Sequence, residues 1–177
     1  MIDYTILNIS SIRTIIKKIF ILIICINASS CCIQENPQNK VYIPQKIVLQ
    51  TSSKKNIIFT KEALKQINKK YVYGGSSPQK GFDCSGLVYY CAKKSLNLNL
   101  PRTTKKLIKV GNQVSKRRVQ TGDLVFFKTN HNQLHVGIYV KDDIFIHAPR
   151  TGKKIKFDNI NSKYWSRKYI TSRRICY

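Results

Sequence analysis

Acidic residues are scarce in this chain of 177 residues, which carries 8 Asp and Glu against 32 Lys and Arg, a formal net charge of +24. Such an excess indicates an anionic partner or surface, such as nucleic acid, acidic lipid or a polyanionic wall. Long basic runs are also lacking. The longest is Lys116-Arg117-Arg118, and no basic-zipper or zinc-finger spacing occurs, so we expect no nucleic-acid partner. The alternative explanation of the positive charge is that the whole proteome is rich in lysine and isoleucine. Net charge affects solubility and association rather than fold, so it does not decide between the two.

No CxxC pair occurs among the six cysteines, and the Cys and His spacings do not fit a zinc site. We therefore expect no metal and no cofactor. Three cysteines lie within the first 32 residues, which argues against a disulfide framework. Cys91 follows Cys84 by about two helical turns and is expected to pack as a small hydrophobic residue. The pattern favours one reactive thiol over a set of bridges.

The N-terminal apolar run, residues 19–26, is shorter than the ~20 residues that span a bilayer. It follows the basic pair Lys17-Lys18 and precedes small and polar residues. This arrangement predicts a secretory signal peptide over residues 1–30. Cys31 resembles the lipid-attachment cysteine of bacterial lipoproteins, although Ala28 stands where that pattern prefers a larger aliphatic residue. We expect a membrane-anchored lipoprotein of the cell envelope, with simple secretion as the alternative.

Residues 31–56 are polar and contain two prolines, so they are interpreted as a flexible linker before a domain over residues 57–177. Thr60 is a candidate N-cap for a helix Lys61–Lys70. Hydrophobic periodicity then predicts helices over Asp83–Leu96 and Thr103–Val110.

The second half is rich in β-branched and aromatic residues. It contains five candidate strands, Asp123–Lys128, Leu134–Val140, Ile144–Ala148, Lys154–Asp158 and Tyr169–Ile175. Asp142-Asp143 is expected to form a tight hairpin turn between the second and third of them. Helices followed by strands indicate an α+β fold, with helices packed on a mostly antiparallel sheet of about five strands.

Cys84 is the strongest candidate for chemistry, because it opens a predicted helix. The helix N-terminus would favour the thiolate, Asp83 could cap the helix, and Gly86 would leave space for a substrate carbonyl. His135 and His147 lie on adjacent predicted strands. His135 could accept the thiol proton while His147 holds its other ring nitrogen. Each residue taken alone is more simply a buried thiol or a structural histidine, so the hypothesis depends on their joint occurrence.

Six segments, in this order and spacing, resemble the NlpC family of bacterial cell-wall cysteine peptidases. They are Tyr71-Val-Tyr-Gly-Gly75, Gly81-Phe-Asp-Cys-Ser-Gly86, Leu100-Pro-Arg-Thr103, Gly122-Asp-Leu-Val-Phe-Phe127, His135-Val-Gly-Ile-Tyr139 and Phe145-Ile-His-Ala148. The resemblance implies a papain-like fold. It also implies hydrolysis of peptidoglycan stem peptides, typically between D-glutamate and the following diamino acid, by a protein expected to be a monomer.

Carried over to this sequence, the resemblance implies that Cys84 is the nucleophile, His135 the base and His147 the orienting residue. Tyr71 matches the tyrosine near the oxyanion site. Asp83, Ser85 and Arg102 lie in segments that line the family's cleft and are candidate substrate contacts, with a helix cap and a surface charge as the simpler roles for Asp83 and Arg102. An amidase or acyltransferase on the same fold, or a catalytically idle cationic wall-binding module, are the alternatives.

Overall fold

The computed structural model describes residues 53–130 and 133–175. Its helices are α1 (Lys54–Leu64), α2 (Cys84–Leu96), α3 (Thr104–Leu107) and α4 (Lys163–Lys168), and a 3-10 turn covers Lys116–Arg118. The strands are β1 (Ser76–Ser77), β2 (Gly81–Phe82), β3 (Asn112–Val114), β4 (Leu124–Asn130), β5 (Gln133–Lys141), β6 (Ile144–His147), β7 (Lys156–Asn159) and β8 (Tyr169–Arg174).

Six strands form the main sheet in the order β3-β8-β4-β5-β6-β7, and every neighbouring pair is antiparallel. A separate two-stranded sheet pairs β1 with β2. The predicted α+β fold with an antiparallel sheet is confirmed, but the main sheet has six strands rather than about five. The added strand, β3, is mostly exposed, so it lacks the apolar alternation by which strands are recognised in a sequence.

The turn between β5 and β6 is the predicted Asp142-Asp143 turn. Both residues have positive φ, 47° and 63°. Two consecutive left-handed residues are the signature of a type I′ hairpin, whose twist matches that of the flanking strands, and Asp tolerates this conformation better than most residues. The turn holds β5 and β6 side by side and so brings His135 and His147 to neighbouring strands.

Helix α1 begins earlier than predicted, so the prediction of a helix Lys61–Lys70 capped by Thr60 was wrong. Ser53 is the N-cap, and its side chain accepts a hydrogen bond from the backbone N–H of Asn56 at 3.3 Å. Thr60 lies inside the helix and donates from its hydroxyl to the Asn56 carbonyl at 2.9 Å. The helix thus starts within residues 31–56, the predicted linker, because a polar first turn resembles a linker in sequence.

Two buried clusters lie on opposite faces of the main sheet. One packs α1 and α2 against β5, and it contains Phe59, Leu87 and Cys91, which is fully buried as predicted. The other contains Val125, Phe127, Phe145, Ile160 and Trp165. Because alternate residues of a strand face opposite sides, Val136 and Ile138 join the first cluster while His135 lies beside Trp165 of the second.

The predicted signal peptide (residues 1–30), the candidate lipid attachment at Cys31 and the linker up to residue 52 lie outside the described residues. In the part of the chain that is described, no helix is both long enough and apolar enough to cross a membrane.

Candidate active site

Cys84 is the first residue of α2, as predicted. Asp83 precedes it in an extended conformation and caps the helix, accepting a hydrogen bond from the backbone N–H of Gly86 at 2.7 Å. The cap satisfies one of the amides that an α-helix leaves without an internal partner. The Cys84 side chain is thereby fixed at the start of a rigid helix, partly exposed to the cavity beside it.

Arg102 binds Asp83 through two parallel hydrogen bonds, from Nη1 to Oδ1 at 2.8 Å and from Nη2 to Oδ2 at 2.9 Å. Arg102 also donates to the Gly75 carbonyl at 2.8 Å and to the Ser85 hydroxyl at 3.0 Å. Burial raises the pKa of Asp83, but hydrogen bonds from Arg102 and Gly86 outweigh burial, so the net pKa is lowered. Asp83, Ser85 and Arg102 form an internal network, and substrate contact by these residues stays a prediction.

Gly86 serves a purpose different from the one expected. A Cβ at this position would overlap the carbonyl oxygen of Gly75 and lie 2.8 Å from Arg102 Nη2. The glycine therefore allows the turn before β1 to lie against the first turn of α2. The expectation that it leaves space for a substrate carbonyl was wrong, because protein atoms occupy that space.

The Cys84 thiol lies 3.6 Å from Thr104 Oγ1, and the backbone N–H of Val136, the residue after His135, also bonds to it. No hydrogen bond joins the thiol to His135 among the described residues. Burial raises the pKa of Cys84, and the bonds from Thr104 and Val136 lower it by less. The sequence predicted that the helix N-terminus would favour the thiolate, and this effect is opposed by burial, which shifts the net pKa of Cys84 upward.

We expect the alkylation rate of Cys84 by iodoacetamide to rise about tenfold per pH unit from pH 7, with no plateau below pH 9, the ordinary thiol pKa. Only the thiolate reacts, and a raised pKa moves its formation to higher pH. The measurement is peptide mass spectrometry of time courses, which separates Cys84 from the buried Cys91. A rate that is already constant at pH 7 would instead indicate a resting thiolate.

The two histidines are in direct contact. His135 Nε2 lies 2.8 Å from His147 Nδ1, and His147 Nε2 lies 2.9 Å from Asp158 Oδ2 on β7. Both rings are buried, with 6% of His135 and none of His147 exposed. The predicted pairing of His135 with His147 is present, and it continues to a carboxylate that the sequence did not reveal.

Trp165 on α4 stacks on His135 with ring centroids 5.4 Å apart and an interplanar angle of 29°, and it meets His147 edge-on at 5.1 Å. Burial, and then the nearby His147, lower the pKa of His135 to about 3. Burial also lowers the pKa of His147, although Asp158 opposes the shift. Both imidazoles are thus neutral near pH 7, and a neutral thiol faces the site.

An open cavity of about 870 Å³ meets Cys84. Its lining also includes Tyr71, whose pKa is raised by burial and by the neighbouring Cys84, so the phenol keeps its proton. The remaining polar lining residues are Tyr73, Asp83, Ser85, Arg102, Thr103, Thr104, Lys105, Lys128 and Gln133. Within residues 53–130 and 133–175, no group of three or more His, Cys, Asp or Glu side chains could hold a metal ion.

Sequence reasoning missed Asp158, Trp165 and Thr104. Thr104 follows a predicted helix start, but nothing local indicates contact with a cysteine 20 positions earlier. Asp158 ends a predicted strand, and the register of β7 against β6, which pairs His147 with Lys156, sets its distance from His147. Pairing the predicted strands β6 and β7 as an antiparallel hairpin would have identified Asp158 as a candidate partner of His147.

Comparison with known proteins agrees with this architecture. The model of the NlpC/P60 family matches residues 68–174. The chain is 41% identical over 116 residues to murein DD-endopeptidase MepH of Escherichia coli K12, covering 63% of this chain and 43% of that protein. It is 34% identical over 135 residues to gamma-DL-glutamyl hydrolase of Bacillus subtilis 168, covering 75% and 32%.

A solved structure of an NLP/P60 family protein described as similar to lipoprotein, from Staphylococcus aureus Mu50, is 33% identical with a TM-score of 0.63 and covers 71% of this chain and 43% of that one. This chain thus spans less than half the length of the relatives named here. Because the family model covers more than half of this chain and includes Tyr71, Cys84, His135 and His147, the chain belongs to the NlpC/P60 family.

Proposed function

We propose that this protein is a cysteine endopeptidase that cleaves peptidoglycan stem peptides. The observation that carries the proposal is Cys84 at the start of α2, facing an open cavity beside strand β5, whose His135 contacts His147 on β6. The cavity also carries the cationic side chains of Lys105 and Lys128, which would attract the carboxylates of a stem peptide. The family's relatives named as murein and glutamyl hydrolases support the same substrate class.

In the proposed mechanism, Cys84 Sγ attacks the scissile carbonyl carbon as its proton passes to His135. The carbonyl electron pair moves to the oxygen, giving a tetrahedral intermediate. When the intermediate collapses, the C–N bond breaks and His135 returns the proton to the leaving amine. Water then attacks the thioester carbon and gives a proton to His135; when this second intermediate collapses, the C–S bond breaks and His135 returns the proton to the sulfur, which regenerates the neutral thiol and imidazole. Because burial raises the pKa of Cys84 and lowers that of His135, both groups are neutral before the reaction, and the proton has to pass from the thiol to the imidazole in the acylation half-reaction.

Replacing Tyr71 with phenylalanine is expected to lower kcat about 10²-fold with little change in KM. The protonated hydroxyl near Cys84 would donate a hydrogen bond to the oxyanion, and one such donor contributes about this much to the rate. Steady-state kinetics on a purified tetrapeptide muropeptide would measure it. A variant with unchanged kcat, or one changed only in KM, would exclude the oxyanion role.

The bond cleaved is proposed to lie between D-glutamate and the diamino acid. MepH is named as a DD-endopeptidase, so the cross-link between stem peptides is the other candidate. Incubation of the protein with monomeric and cross-linked muropeptides, followed by mass spectrometry, separates the two, because only the second substrate contains a DD cross-link. Binding to peptidoglycan without a new fragment from either substrate would contradict the peptidase proposal and favour a catalytically idle binding module.

We also propose that the protein is exported and anchored in the cell envelope by lipid at Cys31. The support is the basic and apolar sequence before residue 31 and the small residues that precede this cysteine. Globomycin should block maturation of the protein, and Cys31→Ser should release it from the membrane fraction. Normal processing in the presence of globomycin would indicate simple secretion instead.

A further inference from the structure

We propose that Asp158 is a positioning residue that sets the direction of the hydrogen bonds through His147 and His135, leaving His135 Nδ1 free to accept the thiol proton. This inference rests on the proposed function for its catalytic meaning. The hydrogen-bond geometry on which it depends stands independently of activity.

The direction of the bonds follows from the carboxylate. An ionised carboxylate can only accept hydrogen bonds, and Asp158 is held ionised because its hydrogen bonds with His147 and Lys156 outweigh burial and lower its pKa. His147 must therefore donate from Nε2, and as a neutral imidazole it has no proton on Nδ1. That bare nitrogen can only accept, so His135 donates to it from Nε2 at 2.8 Å.

The consequence falls on His135. With its single proton on Nε2, the neutral ring carries its lone pair on Nδ1, the only nitrogen left to accept a proton from Cys84. Once that proton has moved, the imidazolium is stabilised by the negative charge of Asp158, which already favours the protonated form of His135. Asp158 itself takes no proton in this scheme.

Three side chains donate hydrogen bonds to the Asp158 carboxylate, and two of them, His147 and Trp165, are in direct contact with His135. His147 Nε2 and Lys156 Nζ each lie 2.9 Å from its oxygens, and the side chain of Trp165 donates the third bond. Trp165 is the ring that stacks on His135. One carboxylate from β7 thus anchors the orienting histidine and the indole that covers the base. The groups that face it are His147 from β6, Lys156 from β7 and Trp165 from α4.

The test uses Asp158→Asn, which keeps the size of the side chain but removes its charge and one acceptor. Because 24% of the Asp158 side chain is exposed, the variant should fold. We expect kcat on muropeptides to fall about 10- to 100-fold with KM nearly unchanged, less than the loss seen when a buried orienting carboxylate is replaced in a serine protease. Lys154→Gln is the matched control. Lys154 is exposed two residues before Lys156, so the change removes one positive charge from the same segment but none of the donors to Asp158, and activity should stay within about twofold.

A second readout is the ¹⁵N NMR spectrum of the histidine side chains, in a chain with only three histidines. In the wild-type protein, His135 and His147 should both carry the proton on Nε2, and Asp158→Asn should shift His147 toward the Nδ1-protonated form. An Nδ1 proton on either ring of the wild type, or a wild-type kcat in Asp158→Asn, would overturn the proposal. If the wild type cleaves no muropeptide, the proposed function fails and the NMR tautomers still decide the hydrogen-bond direction.

Discussion

Replacing Cys84 with alanine is expected to lower the rate of muropeptide cleavage by at least about 10⁴-fold. In covalent catalysis no other group forms the acyl-enzyme, and removal of a nucleophile from comparable hydrolases eliminates nearly all of the rate enhancement. The side chain is partly exposed at the cavity wall, so its loss leaves no large void in the core. The variant should keep the wild-type melting temperature within a few degrees and should still bind peptidoglycan.

The matched control is Cys91→Ala, two turns further along the same helix. Cys91 is fully buried in the cluster between α2 and the sheet, so this change should cost about 1–2 kcal/mol of unfolding free energy while the folded protein stays active. Activity is measured by mass spectrometry of muropeptides and stability by urea unfolding. Equal cleavage by Cys84→Ala and wild type would exclude Cys84 as the nucleophile.

Replacing Gly86 with alanine is expected to lower the free energy of unfolding by about 3 kcal/mol, or the melting temperature by about 10 °C. The new methyl group would overlap the Gly75 carbonyl and meet Arg102, so either the turn or the helix must move. Movement would also weaken the bonds by which Arg102 holds Gly75 and Asp83. Activity should fall with stability, because the same turn lies beside Cys84 in the wall of the cavity.

Gly152→Ala is the control for this substitution. Gly152 has a φ of +78°, so alanine there is strained, but no atom lies within 4 Å of the added carbon. The cost should be about 1 kcal/mol from backbone conformation alone. Thermal unfolding gives the melting temperatures of both variants, and their difference separates the steric overlap at position 86 from the backbone strain at position 152. A Gly86→Ala protein as stable as Gly152→Ala would show that the turn before β1 can move away without cost.

The parts of the fold that were predictable have short-range causes. The α2 boundary follows from Asp83 as a cap before an apolar helical period, and the hairpin follows from Asp142-Asp143 between two β-rich runs. The start of α1 was missed because its first turn is polar and because Thr60, a frequent cap residue, bonds to the helix backbone instead. Strand β3 was missed because its exposed residues carry no alternating pattern.

The candidate site was predictable only as a set of residue types. Cys84, His135 and His147 can be recognised in the sequence because the segments around them resemble those of the family. The protonation states of Cys84 and His135 cannot be predicted in this way, because they depend on burial, which no local sequence pattern encodes. Asp158 and Trp165 depend on the register of β7 and on α4 packing over the far face of the sheet. Such contacts join segments distant in sequence, so they appear only in three dimensions.

The order in which the chain is synthesised also matters for this site. Cys84, the proposed nucleophile, is the first residue of α2. Trp165, whose indole stacks on His135, lies in α4, near the end of the described chain. A nascent or unfolded chain would therefore carry an unassembled site, and hydrolytic competence would arise only after the last helix and strand have docked. If the chain is exported as proposed and folds only afterwards, the proposed activity would arise only where the chain folds.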